Sequence, residues 1–163
     1  MREPHLYTHL EDYIFNLYTN IGIFHPRQLN PEMIGKRLGI CIDYLQIGSI
    51  YEGDTIILDS RLSDTEQWQD FGHELRHAIF DIGNQLNIPY LYKDYQEWKA
   101  NNFALHACIP TFMLDNIKLP DTKPKAIYVL QKIFNVDYDF AKKRLDQYMS
   151  NHIRITIGGL KYD

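Results

Sequence analysis

An α+β domain is what the sequence predicts: helices around one small sheet, followed by a helical C-terminal section. Three observations carry this. Apolar residues recur at helical spacing near both ends of the chain, three short β-rich runs lie together between residues 40 and 58, and proline and glycine punctuate the joints. With 163 residues the chain has ordinary single-domain size and buries roughly 70% of its unfolded surface on folding. A composition of 45% hydrophobic and 23% charged residues excludes a disordered tail, a collagen-like rod or a low-complexity linker.

Taken in order, Leu6, Leu10, Tyr13, Ile14, Leu17 and Tyr18 predict an amphipathic helix over residues 4 to 19. Asn30-Pro31 reads as an N-cap with proline in the first turn, and the short helix it opens stops at Gly39. Ile40 to Leu45 is a predicted strand. Ser49 to Tyr51 and Thr55 to Leu58 form a hairpin around Glu52-Gly53-Asp54, and Thr55 to Leu58 offers a candidate exposed edge for pairing with an extended substrate. Ser63-Asp64-Thr65-Glu66 matches a capping box that starts a helix reaching about Ile82, closed by Gly83-Asn84. A further helix runs from about Leu91 to Ala107, ended by Pro110. Beyond a break marked by Pro120 and Pro124, two helices are expected near 125–134 and 138–151, with a β-like tail from Ile153 to Ile157. The expected division is a core over 1–118 and a helical extension over 119–163 packed on it.

The chemical signal is His73-Glu74-Leu75-Arg76-His77. Residues four apart share one helix face, so both imidazoles can hold one Zn²⁺. Glu74, displaced around the helix, can sit beside the metal without ligating it and take the proton of the attacking water as general base. Chance yields this pentapeptide on the order of 0.01 times in a chain of this composition. A catalytic zinc needs a third protein ligand and one open position. Asp81, Asp94, Glu97, His106 and Cys108 are candidates. Glu97, on the next helix of a hairpin, is naturally placed to face back, whereas Asp81, one turn beyond His77, is too short to reach the same metal. Asn101, one turn after Glu97, can hydrogen-bond a ligand imidazole and fix its tautomer. His106, Tyr90, Tyr92 and Tyr95 are candidates for stabilising an oxyanion.

His73-Glu74-x-x-His77 followed by Glu97-x-x-Ala100-Asn101-x-Phe103-Ala104 and the ending Ala107-Cys108-Ile109-Pro110 resembles the ImmA/IrrE family of zinc metallopeptidases. The resemblance covers about residues 5 to 118. It implies a zincin-like core with an H-E-x-x-H active-site helix and a small mixed or antiparallel sheet. It also implies one Zn²⁺ per chain on His73, His77 and Glu97, with Glu74 as the catalytic glutamate. The sequence departs from the family pattern at Arg76, commonly glycine, and in a less leucine-rich ending. Neither departure touches an implied ligand. Family members are intracellular proteases of bacteria and their mobile elements that cut helix-turn-helix repressors, so the resemblance implies a protein substrate of that kind.

A formal charge of -4 gives no overall drive onto phosphate backbones. In the C-terminal section Lys132, Lys142, Lys143 and Arg144 are offset by Asp137, Asp139 and Asp146, which predicts packing or partner docking rather than DNA reading. Two cysteines, Cys41 and Cys108, fit a reducing cytoplasmic setting. No apolar leader or membrane-length run is seen. The alternative from another class is a non-catalytic, zinc-containing regulator that binds a repressor or DNA, and the intact Glu74 argues against it.

Overall fold

The computed structural model describes residues 7–81 and 90–158. It is α+β: a three-stranded sheet flanked by helices, with further helices after it. Helix α1 (His9–Asn20) starts at Thr8, whose hydroxyl and the Glu11 side chain form a reciprocal capping box. The expected start at residues 4 to 6 lies outside the described residues. Helix α2 (Pro31–Leu38) is capped by the Asn30 side chain and closed by Gly39 at φ 73°. Strands β1 (Cys41–Leu45), β2 (Ile50–Glu52) and β3 (Thr55–Asp59) follow.

The β2–β3 hairpin is antiparallel, as its turn chemistry requires. β1 then pairs with β3 in parallel, giving the order β1-β3-β2. This corrects the expected substrate edge. Thr55 to Leu58 lies in the central strand, hydrogen-bonded on both sides, with Ile56 and Leu58 fully buried. The edges of the sheet are β1 and β2.

Helix α3 (Asp64–Phe80) begins at the capping box of Ser63 and Glu66 and carries the H-E-x-x-H segment. It ends at Asp81, before the expected Ile82. Gly83-Asn84 lies outside the described residues. Helix α4 (Tyr90–Cys108) packs across it. The contact is close because small residues meet: a Cβ on Gly72 would lie 2.9 Å from Cys108 Sγ and 3.2 Å from Ala104 Cα. Ala100, Ala104 and Ala107 are buried along α4. The alanines of the second motif thus have a packing reason: they let α4 approach closely enough to face α3.

A short helix α5 (Thr111–Leu114) leads to α6 (Lys123–Phe134) and α7 (Tyr138–Gly158). Pro124 is not a break but sits in the first turn of α6, where its missing N–H has no partner to lose. The expected β-like tail over Ile153 to Ile157 is instead a continuation of α7. Isolated β-branched alternation is a weak preference that an established helix overrides. Leu130, Phe134, Ala141 and Leu145 of these helices share one core with Ile14, Phe71 and Leu114. Arg144 is not a surface cation. It is fully buried, donating to Ile109 O at 3.0 Å and Thr111 Oγ1 at 2.6 Å beside Glu11.

Candidate metal centre

Helix α3 presents His73 and His77 on one face, and α4 brings Glu97 opposite them. The His73 and His77 Nε2 atoms are 3.1 Å apart, with Glu97 Oε2 3.1 Å from His73 Nε2 and Glu97 Oε1 3.4 Å from His77 Nε2. The far nitrogens are held separately. Asn101 Oδ1 lies 2.8 Å from His73 Nδ1, and the Asp81 carboxylate contacts His77 Nδ1. Acceptors at both Nδ1 atoms call for the tautomer with hydrogen on Nδ1. Two imidazole lone pairs and a carboxylate oxygen then converge with no hydrogen among them. Such an arrangement is repulsive by itself and suits a cation. His73, His77 and Glu97 are the one group of metal-capable side chains gathered in this way among the described residues, and they could hold a metal ion.

The remaining candidates lie elsewhere. Cys108 is buried, with its thiol on Trp68 O and its pKa driven upward by burial. Asp94 is exposed. His106 lies in the buried polar cluster of Glu11, Thr111 and Arg144, its Nδ1 donating to Asn102 O at 3.0 Å. That placement removes it from the oxyanion candidates. Tyr92 and Tyr95 are half exposed, and Tyr95 is stacked on Trp98 and covered by Lys99 on the outside of α4. The Tyr90 side chain lies outside the described residues.

Glu74 stays clear of the three convergent side chains. Its Oε2 accepts the Tyr51 N–H of β2 at 2.8 Å, which ties it to a sheet edge. Burial raises its carboxyl to a pKa of about 7, with the negative charges of Glu97 and Asp70 adding, against the opposing pull of His73 and the Tyr51 hydrogen bond. A half-buried carboxyl shifted upward in this way, next to the three convergent side chains, is a candidate for proton transfer.

Three features were not expected from the sequence. One is Asp81 on the back of His77, and another is the backbone donor of Tyr51. The third is a cavity of about 400 Å³ that opens beside His73 and Asn101. Its other wall is the start of α7, with Asp137, Asp139, Phe140 and Lys143. Asp137 is fixed there by Gln69, which donates to its carboxylate at 2.9 Å and accepts its N–H at 2.7 Å. The α6–α7 turn therefore flanks the candidate centre instead of lying apart from it. No helix among the described residues is long and apolar enough to cross a membrane.

Two imidazoles and a carboxylate gathered on two packed helices of an α+β domain are a set that could hold a metal ion. The family model of Peptidase_M78, the IrrE N-terminal-like domain, matches residues 39–146, and the chain belongs to that family. Two proteins of Bacillus subtilis (strain 168) are similar to it over most of their length. Phage-like element PBSX protein XkdA is 39% identical over 145 residues, covering 86% of this chain and 73% of that protein. Uncharacterized protein YqaB is 43% identical over 148 residues, covering 86% of this chain and 84% of that protein.

Proposed function

We propose that this chain is a zinc-dependent metalloendopeptidase with a zincin-like centre, acting in the cytoplasm on a regulatory protein, specifically a helix-turn-helix repressor of a mobile element. One observation carries the reading: the convergence of His73 Nε2, His77 Nε2 and Glu97. Four-coordinate zinc with ligands at about 2.0–2.1 Å sets neighbouring ligand atoms about 3.3 Å apart. His73 Nε2 and His77 Nε2 lie 3.1 Å apart, close to that spacing, and Glu97 sets Oε2 3.1 Å from the first and Oε1 3.4 Å from the second, so three side chains could share one ion with a fourth position open. When bound, zinc supplies polarisation of the scissile carbonyl and acidification of the attacking water.

The chain's own residues do the rest. Asn101 and Asp81 hold the two imidazoles with Nε2 facing inward. Glu74 accepts the proton of the attacking water and delivers it to the leaving amine. Its tether to the Tyr51 N–H fixes the orientation of the carboxylate. β2 is the edge nearest Glu74 and the place where an extended peptide can add by strand pairing. The cavity beside His73 receives a neighbouring substrate side chain, so residues 1–118 supply the chemistry and residues 119–163 one wall of the groove. The relationship to a phage-like element protein supports a mobile-element repressor as substrate, and a chain of charge -4 is complementary to a basic DNA-binding partner.

The test is incubation of the zinc-loaded protein with a helix-turn-helix repressor encoded by the same element, read by mass spectrometry of the fragments. Cleavage at one defined bond, absent with Glu74→Gln, is the expected result. Sequence-specific duplex binding at physiological salt with no repressor association would overturn it in favour of a direct regulator.

A further inference from the structure

The two imidazoles of the candidate centre are supported differently. His73 is held by a neutral amide, Asn101. His77 is held by a carboxylate, Asp81, which is itself held by an arginine. Asp81 Oδ2 contacts His77 Nδ1, and Asp81 Oδ1 accepts from Arg76 at 2.8 Å. Residues four apart share a helix face, so Asp81 lies one turn beyond His77. From there a short side chain cannot reach the gap between the Nε2 atoms, but it meets the nitrogen on the other side of the ring.

Arg76 is 8% exposed. A guanidinium is rarely so buried unless it is paired. Its partners are Asp81 and the ring of Phe80, 5.0 Å from the guanidinium carbon. The arrangement does three things at once. It uses both oxygens of Asp81, one each for Arg76 and His77, so the carboxylate cannot rotate without breaking an ion pair. It keeps hydrogen on His77 Nδ1, which turns the lone pair of Nε2 inward. It sets the negative charge of Asp81 between the His77 imidazole and a fixed positive guanidinium.

We infer that Arg76 and Asp81 form a positioning pair that fixes the ring and tautomer of His77 and so sets the strength with which the centre holds its metal. The inference rests on the metallopeptidase reading above. Neither residue touches the reacting atoms.

The test is the dissociation constant for Zn²⁺, by competition with a chromophoric chelator, together with the visible spectrum of the Co²⁺-substituted protein. Asp81→Asn should weaken Zn²⁺ binding about 10- to 100-fold and alter the Co²⁺ spectrum. Arg76→Met should weaken binding by a smaller factor, and should add nothing in the Asp81→Asn background, because the arginine acts through the aspartate. Asp81→Glu, which keeps the charge, should recover part of the affinity. Unchanged affinity and spectrum in Asp81→Asn, or independent effects of the two substitutions, would overturn the inference. So would a loss of affinity that follows loss of the metal-free fold, by melting temperature, equally in Asp81→Asn and Asp81→Glu. A wild-type chain that binds neither metal overturns the metallopeptidase reading, and the pair with it. A wild type that binds zinc beside an unaffected Asp81→Asn overturns the pair alone.

Discussion

At the scale of single residues, a substitution at Glu74, the proposed base, separates catalysis from binding. Glu74→Gln keeps size and polarity and removes the base. The variant should fold and bind zinc as wild type while proteolysis falls by 10² to 10⁴, the range of a general base. Near-normal cleavage in that variant would assign the base elsewhere. His106 carries a different prediction. Burial, then the charge of Arg144, lowers its pKa to about 4, outweighing the Asn102 carbonyl and Glu11, which pull it up. The unfolded chain holds this histidine near 6.5. As pH falls from about 6.5 to about 4, the unfolded state takes up the proton first, so stability is full above that window and falls through it. The loss is on the order of 3 kcal/mol. Glu11 works lower down: burial opposes its charge, but the Thr8 N–H, the Thr111 hydroxyl and Arg144 outweigh it, and its pKa is lowered. Its stabilising share is present above the ordinary carboxylate value and disappears as pH falls through its lowered one. Urea unfolding at pH 7 and pH 5 should show the first window in wild type and its disappearance in His106→Leu. An equal pH dependence in both would locate the effect in other groups.

At the scale of elements, the local devices were the readable ones. Asn30-Pro31, Ser63 with Glu66, and the turn around Gly53 specify their own neighbourhoods, and each is found at its expected place. What depends on distant parts was not readable. No residue of β1 announces that it pairs in parallel with β3, and that pairing alone turned the expected edge into the central strand. Arg144 entered the sequence reading only as one charge among several, and its burial was not readable because Glu11 and Thr111, which surround it, come from elsewhere in the chain. In the candidate centre, the one-turn spacings His73 to His77 and Glu97 to Asn101 could be read as periodicity, whereas the choice of Glu97 among five candidates came from the family resemblance. Tyr51 could not, since its contribution is a backbone N–H with no side-chain signature. The helix pair itself is testable at Gly72. A valine there would place its Cβ 2.9 Å from Cys108 Sγ and against the backbone of Ala104. Overpacking of this kind typically costs about 1–3 kcal/mol. Gly72→Val should lower the melting temperature and, by pushing α4 outward, weaken zinc binding by Glu97. A variant that loses neither would show that the close approach does not position the centre.

At the scale of the whole molecule, one core joins the helices that carry the candidate chemistry to the C-terminal pair, and α7 walls the cavity beside His73. The C-terminal helices and the candidate centre are therefore contiguous, which a division into core and extension does not reveal. The central claim is that this assembly exists to hold a zinc ion with three protein ligands and one position open for reaction. Zinc K-edge X-ray absorption on the purified, zinc-loaded protein tests it most directly. The expected result is one zinc per chain with two imidazole nitrogens and one carboxylate oxygen as protein ligands at about 2.0–2.2 Å, a fourth position open to solvent, and collapse of that signal in His77→Ala. A site with four protein ligands, a sulfur at about 2.3 Å, or tightly held zinc in His77→Ala would contradict it.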